Sequence, residues 1–172
     1  MTALSRKVIL HLFELLDADL GRAGMEGELF LVGGAVMCLA YDTRPATHDV
    51  DAVFKPPGAI REAAARVAGQ AGVDEKWLND AVKGYLSDRG SFEPFLQLQH
   101  LRVMVARADY MLAMKCLSMR IGAEFHDLDD VRYLLRHLDI DNYKSALDSI
   151  GKFYPLERFP QKTLYALEEL FA

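Results

Sequence analysis

The stretch Glu28–Phe54, ELFLVGGAVMCLAYDTRPATHDVDAVF, constrains the fold of this chain more than any other. An apolar run meets two glycines, a helix-forming segment follows, and a second apolar run carries Asp49 and Asp51. Side chains alternate across a strand, so Thr47, Asp49 and Asp51 point to one side while His48, Val50 and Ala52 point to the other. Two carboxylates on one side of an otherwise apolar strand repel each other and lose hydration, a cost that a cation between them removes. A hard divalent ion held by one or two carboxylates together with substrate phosphates is the usual arrangement for Mg²⁺. Gly33 and Gly34 lie where strand turns into helix, where glycine lets the backbone approach a phosphate and a helix start offers unpaired N–H groups. Alone, a Gly-Gly pair reads as a tight turn. Beside Asp49 and Asp51 it reads as a phosphate cradle, and the strand as a Mg²⁺–nucleotide site.

The 172 residues, 51% hydrophobic and 26% charged, are enough for one sizeable core in a globular protein. A formal net charge of -5 excludes binding of nucleic acid mainly through a large basic surface. A local patch remains open, and Arg102, Arg107, Arg120, Arg132 and Arg136 could line one, although scattered helix arginines ordinarily form a solvated face. Cys38 and Cys116 lack the spacing of a disulfide framework or a zinc site, which predicts reduced, buried thiols. The run Val8–Leu16 is broken by His11 and Glu14, unlike a signal peptide, and the longest apolar run, Leu29–Tyr41, is too short to span a bilayer. These features predict a cytoplasmic protein without a membrane partner.

Hydrophobic periodicity predicts a helix from an N-cap at Ser5 to about Arg22, with an apolar stripe of Val8, Leu12, Leu15, Leu16 and Leu20. A strand over 28–32, a helix over about 34–41, a strand over 49–54 stopped by Pro56-Pro57 and a helix over about 58–69 come next. The signal then weakens, with a short helix expected around Trp77–Lys83. Strands are predicted at 95–98 and 101–106, then helices at about 109–121, 126–138, 142–153 and 162–171. The expected fold is α+β: a small mixed sheet flanked by helices over 1–106, with a helical C-terminal part over 107–172 packed on it. The aromatic residues Trp77, Phe92, Phe95, Tyr133, Tyr143, Phe153, Tyr154, Phe159 and Tyr165 are expected in the core and at helix contacts.

A dinucleotide-binding βαβ unit would also place glycines after a strand and an acid about 20 residues on, but it needs a third glycine. Here the turn reads Gly33-Gly34-Ala35-Val36-Met37-Cys38, and the acids open the second strand instead of following it. Gly33-Gly34-Ala35, then a helix, then Arg44, Thr47 and Asp49-Val50-Asp51 resembles the signature of minimal nucleotidyltransferases related to polymerase β, and more closely the AbiEii-type toxin branch and its bacterial relatives. The resemblance continues through Asp109–Lys115, Arg120 and His126–Asp130 and covers roughly 27–138. It implies a nucleotidyltransferase-like fold in which Gly33, Gly34, Ala35, Arg44 and Thr47 contact the nucleotide and Asp49 and Asp51 bind Mg²⁺. It also implies an NTP donor, an acceptor that is a tRNA end or a protein, and an antitoxin partner.

Lys115 is the lone charge between Tyr110 and Met119. By itself it reads as a snorkelling side chain, whereas the resemblance makes it a catalytic group at the phosphates. Asp127 and Asp130 lie one turn apart near a helix start, which suits capping with an ion pair to Arg120 as well as a site role; a metal site of His126, Asp127 and Asp130 is a further alternative. Active members of this superfamily usually bring a third carboxylate from a later strand as metal ligand or base. At that place stands Phe95-Leu96-Gln97-Leu98-Gln99, and Gln97 cannot take a proton. Asp80, Glu93 and Asp109 are the substitutes at hand. A relative that binds nucleotide or a partner without turnover is therefore the second reading, and an unrelated binding module with incidental acids the third.

Overall fold

Ser5 accepts a hydrogen bond from the Val8 N–H at 3.2 Å and so starts α1 (Arg6–Arg22). Its buried stripe is Ile9, Leu12, Phe13, Leu16 and Leu20. Val8, expected in that stripe, is exposed instead, and Leu15 is half-buried. The helix turns its bulkier Ile9 and Phe13 inward, where α1 packs on α3 (Pro57–Ala71). Asp19 lies on the same buried side, and Arg66 of α3 matches it with a fork of hydrogen bonds at 2.7 and 3.1 Å, the geometry that suits a guanidinium to a carboxylate.

In this computed structural model, residues 2–122 and 126–172 are described. The chain divides into one unit running to Gly84 with Phe92–Ala106 added, and a second of Tyr85–Ser91 with Arg107–Ala172. The first unit is a mixed five-stranded sheet flanked by helices. Its strands β2 (Gly27–Val32), β4 (Val50–Lys55), β5 (Leu78–Asn79), β6 (Phe92–Gln97) and β7 (Leu101–Ala106) are ordered β5-β4-β2-β7-β6. β2 runs antiparallel to β4 and parallel to β7. Leu29, Leu31, Ala52, Phe54, Val103 and Val105 share one sheet face and are all buried; α1 contacts this sheet at β7 and α3 at β4. The opposite face carries Phe30, Asp51, Val53 and Met104. A separate two-stranded ribbon joins β1 (Leu4–Ser5) to β3 (Ala46–Thr47), and α2 (Gly34–Leu39) contacts β2, β3 and β4.

The short helix expected around 77–83 is instead β5 followed by a 3₁₀ turn at Ala81–Tyr85. Trp77 decides this. Its ring is buried, its Nε1 donates to the Ala64 carbonyl at 3.0 Å, and its own carbonyl accepts from the Val50 N–H at 2.7 Å. That anchoring lays Leu78 and Asn79 beside β4. β6 starts at Phe92, ahead of the expected 95, because Pro94 is tolerated on an edge strand beside the irregularity between Pro94 and Leu96.

The second unit is helical: α4 (Ala108–Leu117), α5 (Asp127–His137), α6 (Tyr143–Ile150) and α7 (Gln161–Glu169). α4 stops short of the expected 121, and the Ser118 hydroxyl donates back to the Met114 carbonyl at 2.9 Å where it ends. Tyr85–Ser91 belongs here because Ser87 Oγ donates to the Phe153 carbonyl at 2.5 Å and its N–H to the Tyr110 hydroxyl at 3.0 Å. Tyr110 stacks on Phe153, and Tyr154 meets Phe159 edge-on. Tyr165, expected in packing, is 58% exposed. Both cysteines are free and buried, and burial pushes the Cys116 thiol up to about 12. Among the described residues no helix is long and apolar enough to cross a membrane.

Thr163, fully buried in α7, has a hydroxyl without a hydrogen-bond partner among the described residues. A buried hydroxyl left unpaired costs about 1–3 kcal/mol. Thr163→Val keeps the shape and removes the hydroxyl, so the thermal midpoint is expected to rise by about 6 °C. A lower midpoint in a calorimetric scan would mean the hydroxyl is satisfied.

Candidate functional site

At the end of β2 the chain turns at Gly33, whose φ of 71° and ψ of -153° place it in a region open essentially to glycine alone. A Cβ there would stand 3.1 Å from Asp51 Oδ2. The next residue is equally tight, since a Cβ on Gly34 would come within 2.8 Å of Arg44 Nη1 and 2.9 Å of Thr47 Oγ1. The two glycines therefore bring bare backbone against Asp51 on one side and against Arg44 and Thr47 on the other. Ala35, the third member of the turn, is buried in α2. This helix has only six residues, so the side chains around the turn contribute more than its short dipole does.

Asp49 immediately precedes β4 and Asp51 is its second residue. Val50, Ala52 and Phe54 are buried while Asp51 and Val53 are half-buried, so the expected alternation holds within β4 from Val50 onward, whereas Asp49, also half-buried, stands just outside the strand. Thr47 is placed by β1, through the pairing of Leu4 with Thr47, and its hydroxyl donates to the Asp49 carbonyl at 3.3 Å. Arg6 holds the same region from the other side by donating to the Leu39 carbonyl at the end of α2. Gly33, Gly34, Arg44, Thr47, Asp49 and Asp51 thus converge within one unit.

Asn79 joins them. It stands opposite Asp51 in the β4–β5 register and donates from Nδ2 to Asp49 Oδ2 at 3.2 Å. Neither periodicity nor a spacing rule points to it, and in the sequence Asn79-Asp80 after Trp77 stands out only as similar to the bacterial relatives, with no role attached. The signal in the chain is Trp77, the sole tryptophan, whose burial had to place the next two residues somewhere definite.

Three acids are candidate substitutes for a third carboxylate. Asp80 is taken by Arg61 at 2.8 Å and Lys83 at 2.6 Å; the Lys83 hydrogen bond is the largest influence on its carboxyl and, with Arg61, holds it below the usual range despite some desolvation. Glu93 pairs with Val105, Val105 with Leu31 and Leu31 with Ala52, so Glu93 shares the row of Ala52 and faces away from Asp51. It is also three strands from β4, about 14 Å at the usual spacing. On the Asp51 face β7 offers Arg102 and Met104, and the one acid on β2, Glu28, sits at the far end paired to Arg102 at 3.6 Å. Asp109 belongs to the second unit, where Oδ1 accepts from the Tyr110 N–H at 2.8 Å. Among the described residues, no three His, Cys, Asp or Glu side chains gather as a metal-binding group.

In the second unit α4 and α5 meet at a buried charge cluster. Lys115 Nζ lies 2.8 Å from Asp130 Oδ2 and 3.3 Å from Asp127 Oδ1, and Arg120 Nε donates to Asp127 Oδ2 at 3.0 Å. Burial opposes the charge on Asp127, yet the Arg120 side-chain and backbone hydrogen bonds and the Lys115 charge outweigh it and hold the carboxyl below its ordinary value. Lys115 does not snorkel. Two carboxylates occupy two of the three ammonium donors, an arrangement that makes Lys115 first of all the partner of Asp127 and Asp130 within its own unit.

Compared with models of known families, with curated proteins and with solved structures, the chain matches none.

Gly33→Ala tests the turn. Forcing alanine into this backbone region costs about 1–3 kcal/mol, which in a protein of this size lowers the midpoint by about 6 °C. A variant as stable as wild type would show that the turn relaxes without strain.

Proposed function

We propose that this protein is a Mg²⁺-dependent nucleotidyltransferase with a nucleotidyltransferase-like core, moving a nucleoside monophosphate from an NTP to an RNA or protein acceptor. The observation that carries this reading is the tightness of the Gly33-Gly34 turn, where a Cβ on either glycine would run into Asp51 or into Arg44 and Thr47. The donor set suits the metal, because one or two carboxylates are what Mg²⁺ takes when phosphates and water complete its octahedron. Asp49 and Asp51 would hold the ion, the glycine turn would admit the phosphates close to the backbone, and Arg44 would offset their charge. Bound there, Mg²⁺ supplies neutralisation of phosphate charge during in-line attack by an acceptor hydroxyl, with pyrophosphate leaving. A tRNA end or a partner protein as acceptor and an antitoxin partner follow from the resemblance alone; a cytoplasmic setting is what the cysteine pattern and the short apolar runs of the sequence suggest.

A second reading, a relative that binds nucleotide or a partner without turnover, is favoured by one feature: the row through Asp51 continues into Asn79 and Val32, with no third carboxylate. The deciding experiment incubates the protein with each α-³²P-labelled NTP, Mg²⁺ and total tRNA or cell lysate, beside the Asp49→Asn/Asp51→Asn variant. Label moved by wild type and not by the variant establishes transfer. Stabilisation by NTP without any label moved establishes the binding relative.

A further inference from the structure

The geometry points to Asn79 as the residue that positions Asp49 for the metal, an inference that rests on the proposed role of the carboxylate pair. The orientation of its amide is decided by its surroundings. Asn79 Oδ1 accepts from the Ala81 N–H at 3.2 Å, so Nδ2 is the end that must face Asp49, where it donates to Oδ2 at 3.2 Å. β5 is held firmly enough to make this contact a constraint, because Leu78 pairs with Val50 beside the anchored Trp77. A carboxylate that precedes its strand, as Asp49 does, has little else in the sheet to fix its plane. With Oδ2 held by the amide, Oδ1 is the oxygen left to turn toward the side that Asp51 occupies.

Outer-shell groups that orient metal-binding carboxylates typically change metal affinity 10–100-fold when removed. An acid at this position would have the opposite character: it keeps an acceptor for the Ala81 N–H but puts a third negative group beside Asp49. Asn79→Asp therefore isolates the lost donor from the lost turn contact, while Asn79→Ala removes both.

The test titrates an equimolar mixture of the four ribonucleoside triphosphates as Mn²⁺ complexes and follows the thermal midpoint of wild type, Asn79→Ala, Asn79→Asp and Asp49→Asn/Asp51→Asn. The expected result is a half-saturating concentration raised about tenfold in Asn79→Ala. Asn79→Asp is expected to melt below wild type without metal and to regain the difference as the complex is added. If Asn79→Ala shifts the midpoint equally with and without the complex, leaving half-saturation unchanged, the residue is merely structural and the inference is overturned while the carboxylate site stands. If wild type responds no more than the Asp49→Asn/Asp51→Asn variant, the metal reading of the pair and this inference fall together.

Discussion

Asp49→Asn/Asp51→Asn is expected to abolish both the stabilisation of this protein by NTP with Mg²⁺ and any transfer of label. A ligand that binds only the folded state at a hundred times its dissociation constant contributes about 2.7 kcal/mol. In a chain of this length that amounts to about 5–10 °C in the midpoint. The variant should show none of this rise. Its midpoint without ligand should stay close to that of wild type, because each amide keeps the shape of its carboxylate and an oxygen that can accept from Asn79. That second expectation separates a binding defect from a folding defect. Stabilisation that survives in the double variant, or that no NTP elicits from wild type, would make the two acids incidental to function.

Lys115→Met is expected to cost more in stability than any other single change considered for this protein, about 3–5 kcal/mol. The side chain is 8% exposed, and Asp127 and Asp130 are each 4% exposed. With Lys115 gone, Asp127 and Asp130 both lose the ammonium that lies 3.3 and 2.8 Å from them. Replacing the buried members together, as Lys115→Met/Asp127→Asn/Asp130→Asn, should recover much of the loss, since no buried charge is then stranded and the Arg120 side chain that remains is largely exposed. Denaturant unfolding of wild type, the single and the triple variant decides the matter, and a single variant within about 1 kcal/mol of wild type would show the cluster to be slack. The same cluster sets an acid limb. The Asp127 carboxyl is held below its ordinary value in the folded state, so its contribution is intact above about pH 4, the ordinary aspartate value. That contribution is lost as the pH falls further, through the folded value.

Much of the site was legible in the chain because its signals are local. Alternation along one strand is enough to bury Val50 and Ala52 and leave Asp51 half-buried between them. A glycine pair at the end of an apolar run marks a turn that side chains would block. The α+β class and the mixed sheet followed from apolar runs of strand and helix length in order. Helix ends were read less well: α4 stops at Leu117, where the Ser118 hydroxyl turns back to the Met114 carbonyl, and Val8 yields the inner face of α1 to Ile9 and Phe13.

What the amino-acid sequence determined by itself, then, is the pair of acids, the glycine turn beside them and the class of fold, because each depends on residues within a few positions of one another. What only the tertiary structure decided depends on distant segments meeting. Leu4 reaches Thr47 across 43 positions of chain, and Trp77, pinned to Ala64 and Val50, delivers Asn79 to Asp49. Glu93 faces away from Asp51 because strand register across β6, β7, β2 and β4 assigns it the opposite side. Register comes from the packing of a whole sheet on its core, and no single stretch of residues encodes it.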